Sequence, residues 1–248
     1  MRKALAFLTP FGGASVPSPG TLDWFPVVGA AIGLAVGGVW WLAAQVWPPL
    51  AAAGVVLVAD VALTGYLHFD GLADAADGLL PPMARERRLE VMADPAVGAF
   101  GAVTLFVVVV LRFGAFATTV ATPLGVGALW CGSRTAMAVV ARCLHYARPG
   151  GLATAFVADA GGDGASDERR RGVPGAFVPA VTGLALGSVL ALAGPGTHGL
   201  AALGAEIVAI TVVIAFAQRR VGGFTGDVLG AAGVIGETIG LLVLAAKW

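Results

Sequence analysis

At seven places the chain runs for close to twenty positions with almost nothing but apolar and small side chains: near 26–47, 51–69, 99–119, 124–142, 176–194, 199–217 and 228–246. About 20 residues of helix, at 1.5 Å each, cross the ~30 Å hydrocarbon layer of a bilayer. The pattern predicts an all-α polytopic bundle of about seven transmembrane helices, a single integral membrane domain over 1–248. Gly29, Gly33 and Gly37 recur at four-residue spacing, which lets membrane helices approach closely.

The polar connections fall into two sets. Those near Pro48-Pro49, Ala121-Thr122-Pro123 and Gly194–Gly199 carry no Lys or Arg. The others carry Arg2 and Lys3; Arg85, Arg87 and Arg88; Arg148 and Arg169 to Arg171; and Arg219 and Arg220. Positive charge favours the cytoplasmic side, so the N-terminus and every long loop are expected there. Seven spans would leave Trp248 on the far side. Composition agrees: 58% of the 248 residues are hydrophobic, 12% are charged, and mean hydropathy is +0.87. A net charge of zero argues against nucleic acid as a partner. Cys131 and Cys143 share one predicted helix about 18 Å apart, too far for a disulfide. The apolar run Ala4 to Leu8 behind Arg2 and Lys3 is too short for a signal peptide and reads as a short interfacial helix.

The acidic residues crowd the same predicted side. Asp70, Asp74 and Asp77 stand at i, i+4 and i+7, on one face of a helix that extends the second span. Three like charges at a membrane boundary repel and need a positive partner. One answer is a solvated helix end with Arg85, Arg87 and Arg88 as counter-ions. The other is magnesium, which prefers oxygen ligands and is commonly held by one or two carboxylates together with substrate phosphates. The interleaved Ala, Leu and Gly favour magnesium and phosphoryl transfer.

A second cluster, Gly222-Gly223-Phe224-Thr225-Gly226-Asp227, precedes the last span. Its backbone could receive a phosphate at a helix N-terminus, or Thr225 or Asp227 could be an ordinary N-cap. Glu90 and Asp94 share a helical face, with Arg87 and Arg88 at hand for ion pairs. Arg112 and Arg134 lie in or beside spans; Arg134 either reaches phosphate or neutralises the acidic stripe. His68 is a general base, a metal ligand or a hydrogen-bonded structural histidine. Asp60, Glu206 and Glu237 are carboxylates at membrane depth with no partner evident in the sequence.

Leu63-Thr64-Gly65, His68-Phe69-Asp70-Gly71-Leu72-Ala73-Asp74 and Asp77-Gly78 together resemble the signature of the cobalamin synthase (adenosylcobinamide-GDP ribazoletransferase) family. The similarity continues through Phe7-Leu8-Thr9, Phe25 to Gly29, Arg85 to Gly101, Ser133-Arg134, Tyr146-Ala147-Arg148 with Gly151-Leu152, and Gly222 to Ala231. The resemblance implies transfer of the cobinamide phosphate of adenosylcobinamide-GDP to α-ribazole or its 5′-phosphate, with release of GMP. It implies Mg2+ on Asp70, Asp74, Asp77 and Asp227, with His68 among the candidate catalytic groups. Arg134, Arg148, Thr225, Gly226 and Asp94 are the implied contacts for phosphate and nucleotide. It also implies a bacterial inner-membrane protein with its site on the cytoplasmic side. A homo-oligomer, or a complex with other cobalamin-assembly enzymes, stays open. This chain departs from the family pattern at Ala93-Asp94-Pro95-Ala96, where no cation flanks Asp94, and at Tyr66, Phe224 and Val234.

Two other readings use the same residues. A CDP-alcohol phosphotransferase or a prenyltransferase would also place aspartates and magnesium on membrane helices. The first expects DGxxAR where Gly71-Leu72-Ala73-Asp74 stands, and the second expects another DxxxD. An ion-coupled transporter would use Asp60, Glu206 and Glu237 inside the bilayer, but no clear internal repeat accompanies them.

Overall fold

Six of the seven apolar stretches become single helices, several of them opened by proline, whose missing N–H costs nothing at the first helical turn. A computed structural model describes residues 1–13, 17–148 and 173–247 of the chain. Arg169 to Arg171, Gly151, Leu152 and Trp248, which entered the sequence reading, lie outside the described residues. A short helix α1 (Arg2–Leu8) and a 3-10 turn (Pro19–Trp24) lead into α2 (Phe25–Val46). Then follow α3 (Pro49–Leu63), α4 (Leu67–Leu79), α5 (Arg85–Val91), α6 (Ala99–Thr118) and α7 (Pro123–Cys143). The chain closes with α8 (Val173–Ala193), α9 (Thr197–Val221) and α10 (Gly226–Ala245).

Among the described residues, six helices are long and apolar enough to cross a membrane; α3 and α4 taken together make a seventh candidate. The expected all-α membrane bundle is therefore observed. α7 and α10 stand at its centre: α7 packs on α2, α8, α9 and α10, and α10 also packs on α4, α6 and α9. Close approach of α2 to α7 depends on the predicted glycines. A Cβ at Gly29 would come within 2.5 Å of the Trp130 carbonyl oxygen, one at Gly33 within 2.6 Å of that of Val126, and one at Gly37 within 2.5 Å of Pro123 Cα. α1 is not simply interfacial. Its Ala4 and Leu8 are buried, and Phe7 stacks on Phe25 at 5.9 Å.

The second expected span, 51–69, needs correction. It breaks after Leu63, and α4 leaves α3 at 87°. Gly65 and Tyr66 both take left-handed backbone, with φ of 60° and 62°. This is free for glycine but costs ~1–2 kcal/mol at Tyr66. Thr64 Oγ1 donates to the Asp60 carbonyl and ties off the end of α3. The acidic stripe thus sits on a separate helix aimed by the break. Arg88 caps the far end of α4, donating to the carbonyls of Gly78 and Leu79 at 2.8 Å each.

Two of the three carboxylates at membrane depth, Asp60 and Glu237, find cationic partners, whereas the fully buried Glu206 forms no ion pair among the described residues. Arg112 of α6, fully buried, pairs with Asp60 of α3 and with Glu237 of α10 at 2.6 Å. It also donates to Thr238 Oγ1 at 2.9 Å and to the Val234 carbonyl at 3.1 Å, and its guanidinium lies over the rings of Phe69 and Trp130. Arg134 of α7 joins from the other side, bonded to Glu237 and Ser133. Five helices are therefore tied to one charge cluster, as ionisable groups in a bilayer require.

Candidate active site

Local sequence delivers three chain segments to one end of the bundle. The first is α4, whose charged face carries Asp70 and Asp74. The second is the N-terminus of α10. Thr225 is its N-cap, fully buried, with Oγ1 accepting the Val228 N–H at 3.2 Å and lying 3.3 Å from Asp227 Oδ2. The capping role that the sequence left open is therefore real. The third is the stretch after α7. Ala147 N–H donates to the Phe224 carbonyl at 2.8 Å and Phe224 N–H to the His145 carbonyl at 3.0 Å. Gly223 lies directly against the His145 carbonyl, leaving no room for a side chain. This two-bond clasp, with Tyr146 edge-on to Phe224 at 5.3 Å, carries Arg148 to 3.6 Å from Asp227.

Between these segments lies a cavity of about 130 Å³. Asp70, Asp227, Arg148, Tyr146 and His68 form its polar wall; Phe7, Leu22, Phe25 and Met137 stand among its apolar residues. Asp70 is exposed and Asp74 half-exposed, and Asp74 is within electrostatic reach of Asp70, Asp227, Asp77 and Arg148. Burial raises the Tyr146 phenol above its ordinary pKa, so at neutral pH it is a hydrogen-bond donor. Tyr146 was part of the sequence resemblance but was not singled out for a role; an aromatic residue without a charge gives no signal of its own.

The other candidates fall elsewhere. Asp77 is buried, and its carboxylate accepts the N–H groups of Gly98 at 2.7 Å and Gly101 at 2.9 Å, capping α6. Its oxygens fill the space where a Cβ at either glycine would be. Arg134, expected on phosphate, is instead buried against Glu237 and does not line the cavity. Asp94 is exposed, with one oxygen accepting the Ala96 N–H at 3.0 Å. Glu90 pairs with Arg87 at 3.0 Å on the surface. Gly226 and Arg148 stay at the cavity. Cys131 and Cys143 are both free thiols.

Among the described residues, no three His, Cys, Asp or Glu side chains converge into a ready-made metal cage. The open donors are hard carboxylate oxygens, chiefly Asp70, Asp74 and Asp227. That set suits an ion that takes one or two carboxylates and completes its shell with water and substrate phosphates. Asp77 already has two donors and is the least available. Asp77→Ala is therefore expected to lower stability by about 1–3 kcal/mol, the cost of leaving buried N–H groups unpaired. Any magnesium requirement of the folded fraction should stay unchanged. Thermal melts and magnesium titrations read the two effects separately; a shifted magnesium requirement without a stability loss would make Asp77 a ligand.

A multi-pass helical membrane protein with an acid-rich cavity between two helix ends and an arginine loop is a design for handling a charged, phosphorylated substrate at a bilayer surface. The cobalamin-5-phosphate synthase family model matches residues 1–245. The chain belongs to that family. It is 38% identical over 237 residues to the adenosylcobinamide-GDP ribazoletransferase of Chlorobaculum tepidum, covering 92% of this chain and 86% of the relative. It is 35% identical to the protein of that name from Bradyrhizobium diazoefficiens, over 99% and 93% of the two chains. To that from Escherichia coli K12 it is 36% identical, over 89% and 85%. No solved structure matches the chain.

Proposed function

We propose that this chain is an adenosylcobinamide-GDP ribazoletransferase acting at the end of cobalamin assembly. A ribose hydroxyl oxygen of α-ribazole, or the same hydroxyl oxygen of α-ribazole 5′-phosphate, forms a bond to the phosphorus attached to cobinamide. The bond from that phosphorus to the GMP oxygen breaks, and the hydroxyl proton leaves. One observation carries this reading: Asp70, Asp227 and Arg148, from three separate segments, meet at a single cavity. Phosphoryl transfer asks mainly for positioning and charge neutralisation, and this wall offers both signs of charge.

Arg148 stands where it can take a phosphate oxygen in exchange for Asp227, which it now faces at 3.6 Å. Asp70 is the cavity carboxylate placed to receive the proton. Asp70, Asp74 and Asp227 would hold magnesium, which when bound supplies charge neutralisation for the diphosphate and the leaving nucleotide. The site faces the cytoplasm in this reading. Support comes from the arginines that cluster at the cavity end: Arg85 Nε bonds the Val221 carbonyl at 2.8 Å, Arg88 caps α4, and Arg148 adjoins Asp227. The protein would sit in the bacterial inner membrane as one domain, a view supported by the length of the family match.

The test is direct: purified protein in liposomes is given adenosylcobinamide-GDP and α-ribazole. Cobalamin, or its phosphate from the phosphorylated acceptor, should form with magnesium and cease with EDTA. Folded protein that makes neither product from either acceptor would sink the assignment.

A further inference from the structure

We infer that the apolar half of the cavity is the seat of the flat aromatic base of the acceptor nucleoside, an inference that rests on the transferase reading. Size decides first. An engineered apolar cavity of ~150 Å³ takes one benzene, and drug-sized ligands need ~300 Å³ or more. At about 130 Å³ this space admits a ring or the leading part of a fused pair. A corrin macrocycle must remain outside.

Two flat bases then compete, the guanine of the activated donor and the benzimidazole of ribazole. Guanine carries several donors and acceptors around its edge, and burying them without partners is costly. Phe7, Leu22, Phe25 and Met137 offer that edge nothing. A methylated benzimidazole is apolar over most of its surface. It would lie against the stacked pair of Phe7 and Phe25, whose planes differ by 26°, and beside the Met137 thioether, which favours aromatic contacts.

The geometry extends the argument to the reacting atoms. Asp70, Asp227 and Arg148 line the same small cavity as the aromatic pair. A base held on the apolar wall would hang its ribose toward the acids, bringing the hydroxyl to the polar wall. Guanine and corrin would then approach from the open side. Phe7 gives α1 a role beyond packing, since an N-terminal helix of seven residues supplies one face of the acceptor site.

Phe25→Leu keeps apolarity but removes the ring, and Phe7→Leu does the same from a separate helix. Each is expected to raise the KM for α-ribazole by about tenfold, the low end of what a few lost apolar contacts cost. The KM for adenosylcobinamide-GDP and the magnesium requirement should not move. A wild-type comparison of acceptors should agree: ribose 5-phosphate, which lacks the base, should fall far below α-ribazole 5′-phosphate in kcat/KM. Active variants with unchanged acceptor KM, or with a raised KM for the GDP-activated donor alone, would overturn the inference while leaving the reaction intact. Wild-type protein that turns over neither acceptor would remove the transferase reading and this inference with it.

Discussion

Arg112→Met is expected to be the most damaging single change outside the cavity. Methionine matches the side chain in length but leaves Asp60 with no cation in contact and Glu237 with Arg134 alone. Removing one partner of a buried pair costs about 3–5 kcal/mol, against a typical total stability of about 5–15 kcal/mol. The variant should lose most of its monodisperse peak in detergent, or melt far below the wild type. Arg112→Lys should recover only part of the loss. A single ammonium cannot reproduce a planar fork that reaches two carboxylates, a hydroxyl and a carbonyl while lying over two rings. Adding Asp60→Asn to Arg112→Met should relieve the methionine variant, because one uncompensated charge is gone. A methionine variant that melts like the wild type would show that the cluster contributes nothing to stability.

The second large effect belongs to α4. Asp74→Asn and Asp70→Asn keep shape and remove charge, and both positions reach solvent, so neither should disturb folding. Turnover should fall by about a thousandfold or more. Losing several kcal/mol of charge stabilisation at a diphosphate has that effect, at 1.36 kcal/mol per tenfold. Rates at saturating substrate, measured beside the thermal midpoint, separate this outcome from the Asp77 variant, where stability moves first. Full activity in Asp74→Asn would remove the acidic stripe from the chemistry.

The spans were legible in the sequence because a bilayer demands long apolar runs, and six of the seven appear close to their expected limits. The break between α3 and α4 was not. Two adjacent left-handed residues are easy to read as a glycine pair, but the second here is Tyr66, which carries no turn signal of its own. The helical face of Asp70 and Asp74 was visible from spacing. What spacing could not reveal is that Asp77, one turn further on, meets the start of α6, since Gly98 and Gly101 are brought to it only by tertiary packing. The partner of Arg134 was hidden for a related reason. A cation near a phosphate site and a cation pairing with a distant intramembrane acid look alike until helices are placed, and Glu237 lies 103 positions away. That Arg112, Asp60 and Glu237 must find one another was implicit in their depth; which pairs with which was not.

The charge cluster also imposes an order on biosynthesis. Asp60, Arg112, Arg134 and Glu237 emerge from the ribosome on four separate helices, α3, α6, α7 and α10, and Glu237, the acid that bridges both arginines, comes last of the four. Until α10 enters the bilayer, Arg134 lacks its ion-pair partner Glu237 and Arg112 has only one of its two, Asp60. The same helix brings Thr225 and Asp227 to the cavity. A nascent chain stalled before residue 226 would therefore lack the acid that joins the two arginines, and the arrival of α10 closes this network and completes the cavity in one event.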